Sequence, residues 1–377
     1  MTTSFTPFAL EQYQSLHERN VEYNLADSSV QCLTTREWLS ADDVIALLDT
    51  GLFYPEVNGT HELRSRIAAL YPQARPEQVL VTVGAAQANA LVCATLLRPR
   101  DEVIVMSPGY MQVRGLALNA GCVVYDVPLI PEETGWRLDV DRLDALISPR
   151  TRLVAVVNPN NPTGTILGAH EMQRIVAACA RVGAWLHADE VYRGTEHDGH
   201  ETPGFWGMYD RLICTSSLSK AYGLAGLRIG WVLAAVPTIE EIWRRHEYAV
   251  IAAAAPSMTL ATLALEPARR ALLLARQREL TLAGWQVLHD WLPAQHDRFS
   301  VRPAAATAIA FVRYHLPILS LDLTERVRRE ASLLVAPGVM LGSEQHLRIT
   351  LGYAPDKIRA ALDRLGTIAA RVEIENG

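Results

Sequence analysis

Short apolar runs recur along the chain, and longer segments of a different pattern fill the intervals. The runs read "VLVTV" from Val79, "EVIVM" from Glu102, "CVVYDV" from Cys122, "RLVAVV" from Arg152, "AWLHA" from Ala184, "LICTS" from Leu212 and "GWVLA" from Gly230. They are short, rich in β-branched residues and apolar at successive positions, the pattern of strands buried on both faces of a parallel sheet. In the spacers "AQANALVCATLL" and "GAHEMQRIVAACARVGA" apolar residues return at three and four, the period of a helix lying on such a sheet. The pattern predicts an α/β protein whose large domain, residues 41–265, holds a mainly parallel seven-stranded sheet. Beyond residue 265 the texture changes. "PARRALLLARQRELTLAGWQVLHDWL" predicts a long helix, and "AIAFVRY" and "HLRITLG" predict strands. Residues 266–377, joined by 1–40, are expected to form a smaller α+β domain.

Composition narrows the partners. A formal charge of -6 provides no electrostatic footprint for nucleic acid. The five cysteines are scattered, with no CxxC spacing, and read as reduced core thiols rather than disulfides or metal ligands. No metal site is expected. The N-terminal stretch lacks a basic start followed by an apolar run, so a cytoplasmic location is expected. The tract "YAVIAAAAPSMTLATLALEP" is broken by Pro256 and predicts a buried helix pair instead of a membrane span.

Positive charge is written almost entirely as arginine. Only Lys220 and Lys357 are lysines among 35 basic residues. Lys357 sits in an amphipathic, charged stretch, whereas Lys220 lies in "TSSLSKAYGLAGLRIGW" between hydroxyl residues and a glycine-rich apolar segment. An amine can lose its proton and attack a carbonyl; a guanidinium cannot. Lys220 therefore points to chemistry.

Parallel strands present functional loops at their carboxyl ends. "VLVTV" leads to Gly84, Ala85 and Ala86, where a helix start offers free N–H groups to an anion. "EVIVM" delivers Tyr110, and "RLVAVV" delivers Asn161 within the rigid turn "NPNNPTG". "AWLHA" ends in Asp189 and Tyr192, "LICTS" in Ser217, Ser219 and Lys220, and Arg228 follows. The edge thus gathers an amine, an acid, an amide, two phenols, hydroxyls, a helix start and a guanidinium. That inventory matches an aldehyde cofactor with a ring nitrogen, a ring oxygen, a flat face and a phosphate: pyridoxal 5'-phosphate.

These motifs resemble the class I and II aminotransferases, pyridoxal-phosphate enzymes of fold type I, from about Tyr54 to Arg348. The resemblance implies that Lys220 forms the Schiff base and shuttles the Cα proton, and that Asp189 keeps the ring nitrogen protonated. It implies that Asn161 and Tyr192 hold the ring oxygen and that Tyr110 stacks on the ring. Ser217, Arg228 and the backbone at Ala85 and Ala86 correspond to the phosphate cup, and Arg348 to the grip on the substrate α-carboxylate. Tyr54 resembles a tyrosine that reaches the neighbouring subunit's phosphate, which implies a homodimer acting on an amino acid and a 2-oxo acid. The two alanines stand where many relatives carry a hydroxyl.

The stretch "VEYNLADSSVQCL" also resembles the branch that handles arginine-like amino acids in antibiotic pathways, with arginine oxidases and capreomycidine or enduracididine enzymes. The oxidases put a histidine where this chain has Ser29, which favours transamination. A guanidino substrate would want a carboxylate, and Asp27 is the candidate. An oxidase, cyclase or lyase on the same scaffold is the alternative reading. A cofactor-binding regulator is the remote one, for it would need a DNA-binding module and a basic patch.

Overall fold

The computed structural model describes residues 5–376. After the short β1 (Tyr23–Asn24), all seven runs become strands: β2 (Val79–Thr82), β3 (Glu102–Ser107), β4 (Val123–Glu132), β6 (Thr151–Val157), β7 (Trp185–Asp189), β8 (Leu212–Ser217) and β9 (Gly230–Ala234). The sheet has eight strands, not seven, because the chain turns back after β4 to form β5 (Gly135–Leu138). Glu133 and Thr134 make the turn, Gly135 opens β5 at φ 139°, and β5 pairs antiparallel with β4 as an edge hairpin. The order is β2-β9-β8-β7-β6-β3-β4-β5, with β9 antiparallel to both its neighbours.

Successive residues of the central strands are buried on alternate faces of the sheet. Val103 and Val105 of β3, with Leu153 and Ala155 of β6, meet Leu91, Val92 and Leu96 of the helix Gly84–Leu96. Ile104, Val154 and Val156 face the other way, toward Met172 and Ile175 of the helix Ala169–Val182. Helices thus cover both faces, which explains why the runs are apolar throughout.

The rest of the chain builds a second core. An antiparallel sheet of β10 (Phe299–Val301), β11 (Ile309–Tyr314), β14 (His346–Thr350) and β13 (Ala336–Pro337) packs with the helices Pro267–Trp291 and Pro355–Asn376. β1 pairs in parallel with β12 (Leu333–Leu334), so the N-terminal segment lies against the C-terminal part of the chain. Two expectations need amendment. Cys32 is exposed, unlike the other four cysteines, because it follows the strand in an irregular segment. The tract around Pro256 forms the helices Val236–Ala249 and Ala255–Ala264, but Tyr248 at the first helix's end is 96% exposed. No helix among the described residues is long and apolar enough to cross a membrane.

Candidate active site

The carboxyl ends of β6, β7 and β8 lie level: Val157 pairs with Asp189, and Asp189 with Thr215. Their loops therefore leave from one line and wall a cavity of about 420 Å³. Asp189 enters it from the end of β7 and is 5% exposed. Its carboxylate accepts hydrogen bonds from Asn89 Nδ2 at 2.9 Å and the Val191 N–H at 3.2 Å. Burial pushes its pKa up despite these donors and the Lys220 charge. Among the described residues it forms no ion pair, so a cationic N–H is the partner its environment lacks.

Lys220 enters the cavity on the loop that follows β8. Its Nζ lies 2.9 Å from Ser28 Oγ and 3.9 Å from Asp27 Oδ1. The buried Tyr192 hydroxyl accepts from Asn161 Nδ2 at 3.3 Å and donates to the Ser28 carbonyl at 3.2 Å. Tyr110 donates to Glu11 at 2.8 Å, and its ring meets Phe8 edge-on at 5.0 Å.

At one end the cavity is shaped for an anion. The helix Gly84–Leu96 starts with no side-chain cap, leaving first-turn N–H groups free beside Ala85 and Ala86, which line the cavity. Gly84 has φ +76°, and a Cβ there would come within 2.4 Å of the Arg228 guanidinium. Gly230 is required as well, since its Cβ would sit 2.5 Å from the Ala85 nitrogen. Arg228 donates to the Ala225 carbonyl at 3.0 Å and forms no ion pair among the described residues. Ser217 and Ser219 complete that end. Beside the cavity, Arg348 is 1% exposed, donates to Asn161 Oδ1 at 3.2 Å and to the Ala26 carbonyl at 2.6 Å, and leaves its Nε unpartnered.

Residues 22–365 match the family described as aminotransferase class I and II. The chain belongs to that family. It is a pyridoxal-phosphate-dependent aminotransferase of fold type I. Capreomycidine synthase of Streptomyces vinaceus is 32% identical over 318 residues, 82% of this chain and 80% of that protein. An arginine–pyruvate transaminase of Pseudomonas aeruginosa is 36% identical over 195 residues, 50% of this chain and 49% of the relative. The crystal structure of a PLP-dependent aminotransferase from Streptococcus suis matches with TM-score 0.91 at 28% identity, covering 98% and 99% of the two chains.

The aminotransferase has places that fit the cofactor's parts. The anion end offers the helix start, Ser217, Ser219 and Arg228 to a phosphate, and the buried Asp189 suits a protonated ring nitrogen. Of the residues expected from sequence, Ala85, Ala86, Tyr110, Asn161, Asp189, Tyr192, Ser217, Lys220 and Arg228 all line the cavity. Four others lie apart from its lining: Arg348, beside the cavity, and Tyr54, Asp27 and Ser29. Tyr54 is 79% exposed. Asp27 accepts from the Ser28 N–H at 2.5 Å and Ser29 Oγ at 3.0 Å and faces Lys220. Burial pushes the Asp27 carboxyl up, but the Lys220 charge and these hydrogen bonds hold it below the usual carboxylate range. Ser29 is buried, its carbonyl accepting from Thr350 Oγ1 at 2.9 Å.

Sequence reading missed Ser28, Asn89, Glu11 and Glu18, all of which line the cavity. Asn89 left a signal: it is a polar residue on the buried face of an apolar helix, held by Thr215 Oγ1 at 2.8 Å. Glu11 and Glu18 left none, since surface glutamates on a short helix are commonplace.

Proposed function

We propose that this aminotransferase interconverts an L-amino acid and its 2-oxo acid, with Lys220 moving the Cα proton, and that its amino donor carries a guanidino-type side chain. Pyridoxal 5'-phosphate, when bound, supplies the carbon that takes up the amino nitrogen and a protonated ring that draws electron density from Cα. The chain does the rest. Asp189, low in dielectric and without another cation, keeps the ring nitrogen protonated. Asn161 would donate toward the ring oxygen, Tyr192 would do so by turning its hydroxyl from the Ser28 carbonyl, and Tyr110 would pack on the ring. Ser217, Arg228 and the first-turn N–H groups hold the phosphate. Arg348 takes the α-carboxylate through paired hydrogen bonds, and that contact orients Cα toward Lys220.

The single observation that supports this reading is that Lys220, Asp189, Asn161 and Tyr192 converge on one cavity beside the buried Arg348. The side-chain assignment rests on what remains. Lys220, Arg228 and Arg348 are committed to amine, phosphate and carboxylate. The carboxylates left on the cavity wall without a cation are Glu11, which accepts from Tyr110, and Glu18, from the helix Ala9–His17 and its end. The Glu18 side chain, exposed at the cavity mouth, has no hydrogen bond or ion pair among the described residues, so it is open to a substrate cation. Asp27 is turned to Lys220 instead. The two relatives whose names carry arginine or capreomycidine accord with this choice. A second copy of the chain is part of the reading. Leu48, Leu52, Phe53 and Tyr54 are 72–91% exposed in one stretch, and Tyr54 would reach the partner's phosphate across a homodimer interface.

The test is to mix the cofactor-loaded protein with a panel of amino acids and no oxo acid, following cofactor absorbance and product mass with and without oxygen. A guanidino donor should yield one equivalent of 2-oxo acid per site and leave pyridoxamine 5'-phosphate, regardless of oxygen. Continued turnover without an acceptor would replace transamination by oxidation, cyclisation or elimination. Preference for neutral donors would remove the guanidino assignment alone.

A further inference from the structure

Lys220 has a near neighbour to which no role has been given. The Ser28 hydroxyl is 2.9 Å from its amine, spanning 192 residues of sequence, and Ser28 is 6% exposed. We infer that Ser28 is a positioning residue that docks the Lys220 amine whenever that amine is not bonded to carbon. This inference rests on the reading of Lys220 as the group that moves the Cα proton.

The first reason is that Ser28 is held from several sides. Its N–H donates to Asp27, its carbonyl accepts from Tyr192, and the neighbouring Ser29 carbonyl accepts from Thr350. Two residues before it, the Ala26 carbonyl accepts from Arg348 at 2.6 Å. The lysine stem is long and flexible, so a fixed partner reduces what must be ordered before proton transfer.

The second reason is chemical. An amine that takes a proton from Cα and then gives it up needs a neighbour that tolerates both states. A hydroxyl accepts from an ammonium and donates to the lone pair of a neutral amine; a carboxylate only accepts. Asp27 stands back at 3.9 Å, beyond a hydrogen bond, and supplies field without fixing the amine as a cation. Ala26, whose carbonyl Arg348 holds, and Ser28 also share one segment, residues 26–28. A carboxylate arriving at Arg348 therefore bears on the backbone that carries the amine's dock.

Ser28→Ala, Ser28→Thr and Ser28→Val in the cofactor-loaded enzyme test this. Thr keeps the hydroxyl and Val replaces it with a methyl at nearly equal volume. Single-turnover rates with an amino donor should fall about 10- to 100-fold in the Ala and Val variants. The primary isotope effect with Cα-deuterated donor should grow in both, while KM stays within about twofold and Thr recovers most of the rate. A second readout is independent of turnover. With only two lysines in the chain, 15N-lysine labelling of the pyridoxamine 5'-phosphate-loaded enzyme yields two amine signals. Lys220 protons should exchange with water at least about fivefold faster in Ser28→Ala, with Lys357 unaltered. Unaltered isotope effect and exchange in Ser28→Ala would overturn the inference. So would equal losses in Thr and Val, which also decides the case if Ser28→Ala folds poorly. Full activity in Lys220→Ala would instead overturn the reading of Lys220 beneath it.

Discussion

One wall of the cavity is made by loops that leave neighbouring strands β6, β7 and β8 and would face the cofactor, whereas the wall that would face the substrate is drawn from Glu11, Glu18 and Ser28, with Arg348 beside it. On the first wall Asp189 is level with Val157 and Thr215, so backbone ladders alone bring the chemistry together. On the second wall the contacts are Tyr110 to Glu11, Lys220 to Ser28 and Arg348 to Ala26, each joining segments far apart in sequence. On the proposed reading, reaction type is held by the sheet edge and substrate choice by Glu11 and Glu18 of the segment laid across it, whereas Ser28 of the same segment serves the chemistry.

The comparison is sharpest where the walls meet. Lys220→Ala should abolish proton transfer, by about 10⁴-fold or more in single-turnover rate, whatever donor is offered. An enzyme that kept its rate would break the division at its centre. On the cofactor wall, Asp189→Asn should lower the rate with every donor by about 10²- to 10³-fold, because the charge facing the ring nitrogen is gone. A loss confined to one donor would place Asp189 on the wrong wall. On the substrate wall, Glu18→Gln and Glu11→Gln should raise KM for a guanidino donor by about 5- to 20-fold and leave neutral donors within about twofold. Equal effects on both donor types would erase the distinction between the walls.

The smallest effect is on stability. His187, beneath the cofactor wall, is fully buried, hydrogen bonds Thr215 at 2.9 Å and is pushed down to about 4 by burial. Unfolded, it titrates near 6.5. Its contribution is complete above pH about 6.5 and is lost as pH falls toward about 4, where the unfolded chain binds a proton that the fold refuses. The melting temperature should drop by several degrees across that window and drop less in His187→Gln. Identical pH profiles for the two proteins would show that the wall's support does not depend on a neutral His187.

The same contrast accounts for what was legible in sequence. Motif residues that follow apolar strands, such as Asn161, Asp189 and Lys220, could be located because a strand end has a fixed place in an α/β sheet. The hairpin strand β5 escaped because its four residues carry a weak pattern. Ser28, Glu11 and Glu18 escaped because nothing local marks them. Their place depends on β1 lying beside β12 and on Arg348 reaching Ala26, facts of tertiary packing. Asp27 was found for its charge, yet its carboxylate belongs with Lys220, a distinction that only three-dimensional placement supplies.

The pairing of Tyr23–Asn24 with Leu333–Leu334 has a consequence in time. During synthesis the first strand must wait for nearly the whole chain before its partner exists, while the strands of the large sheet can pair as they emerge. The segment that carries Glu11, Glu18 and Ser28 is therefore anchored late, and a nascent chain whose large sheet has already paired still lacks one wall of its cavity.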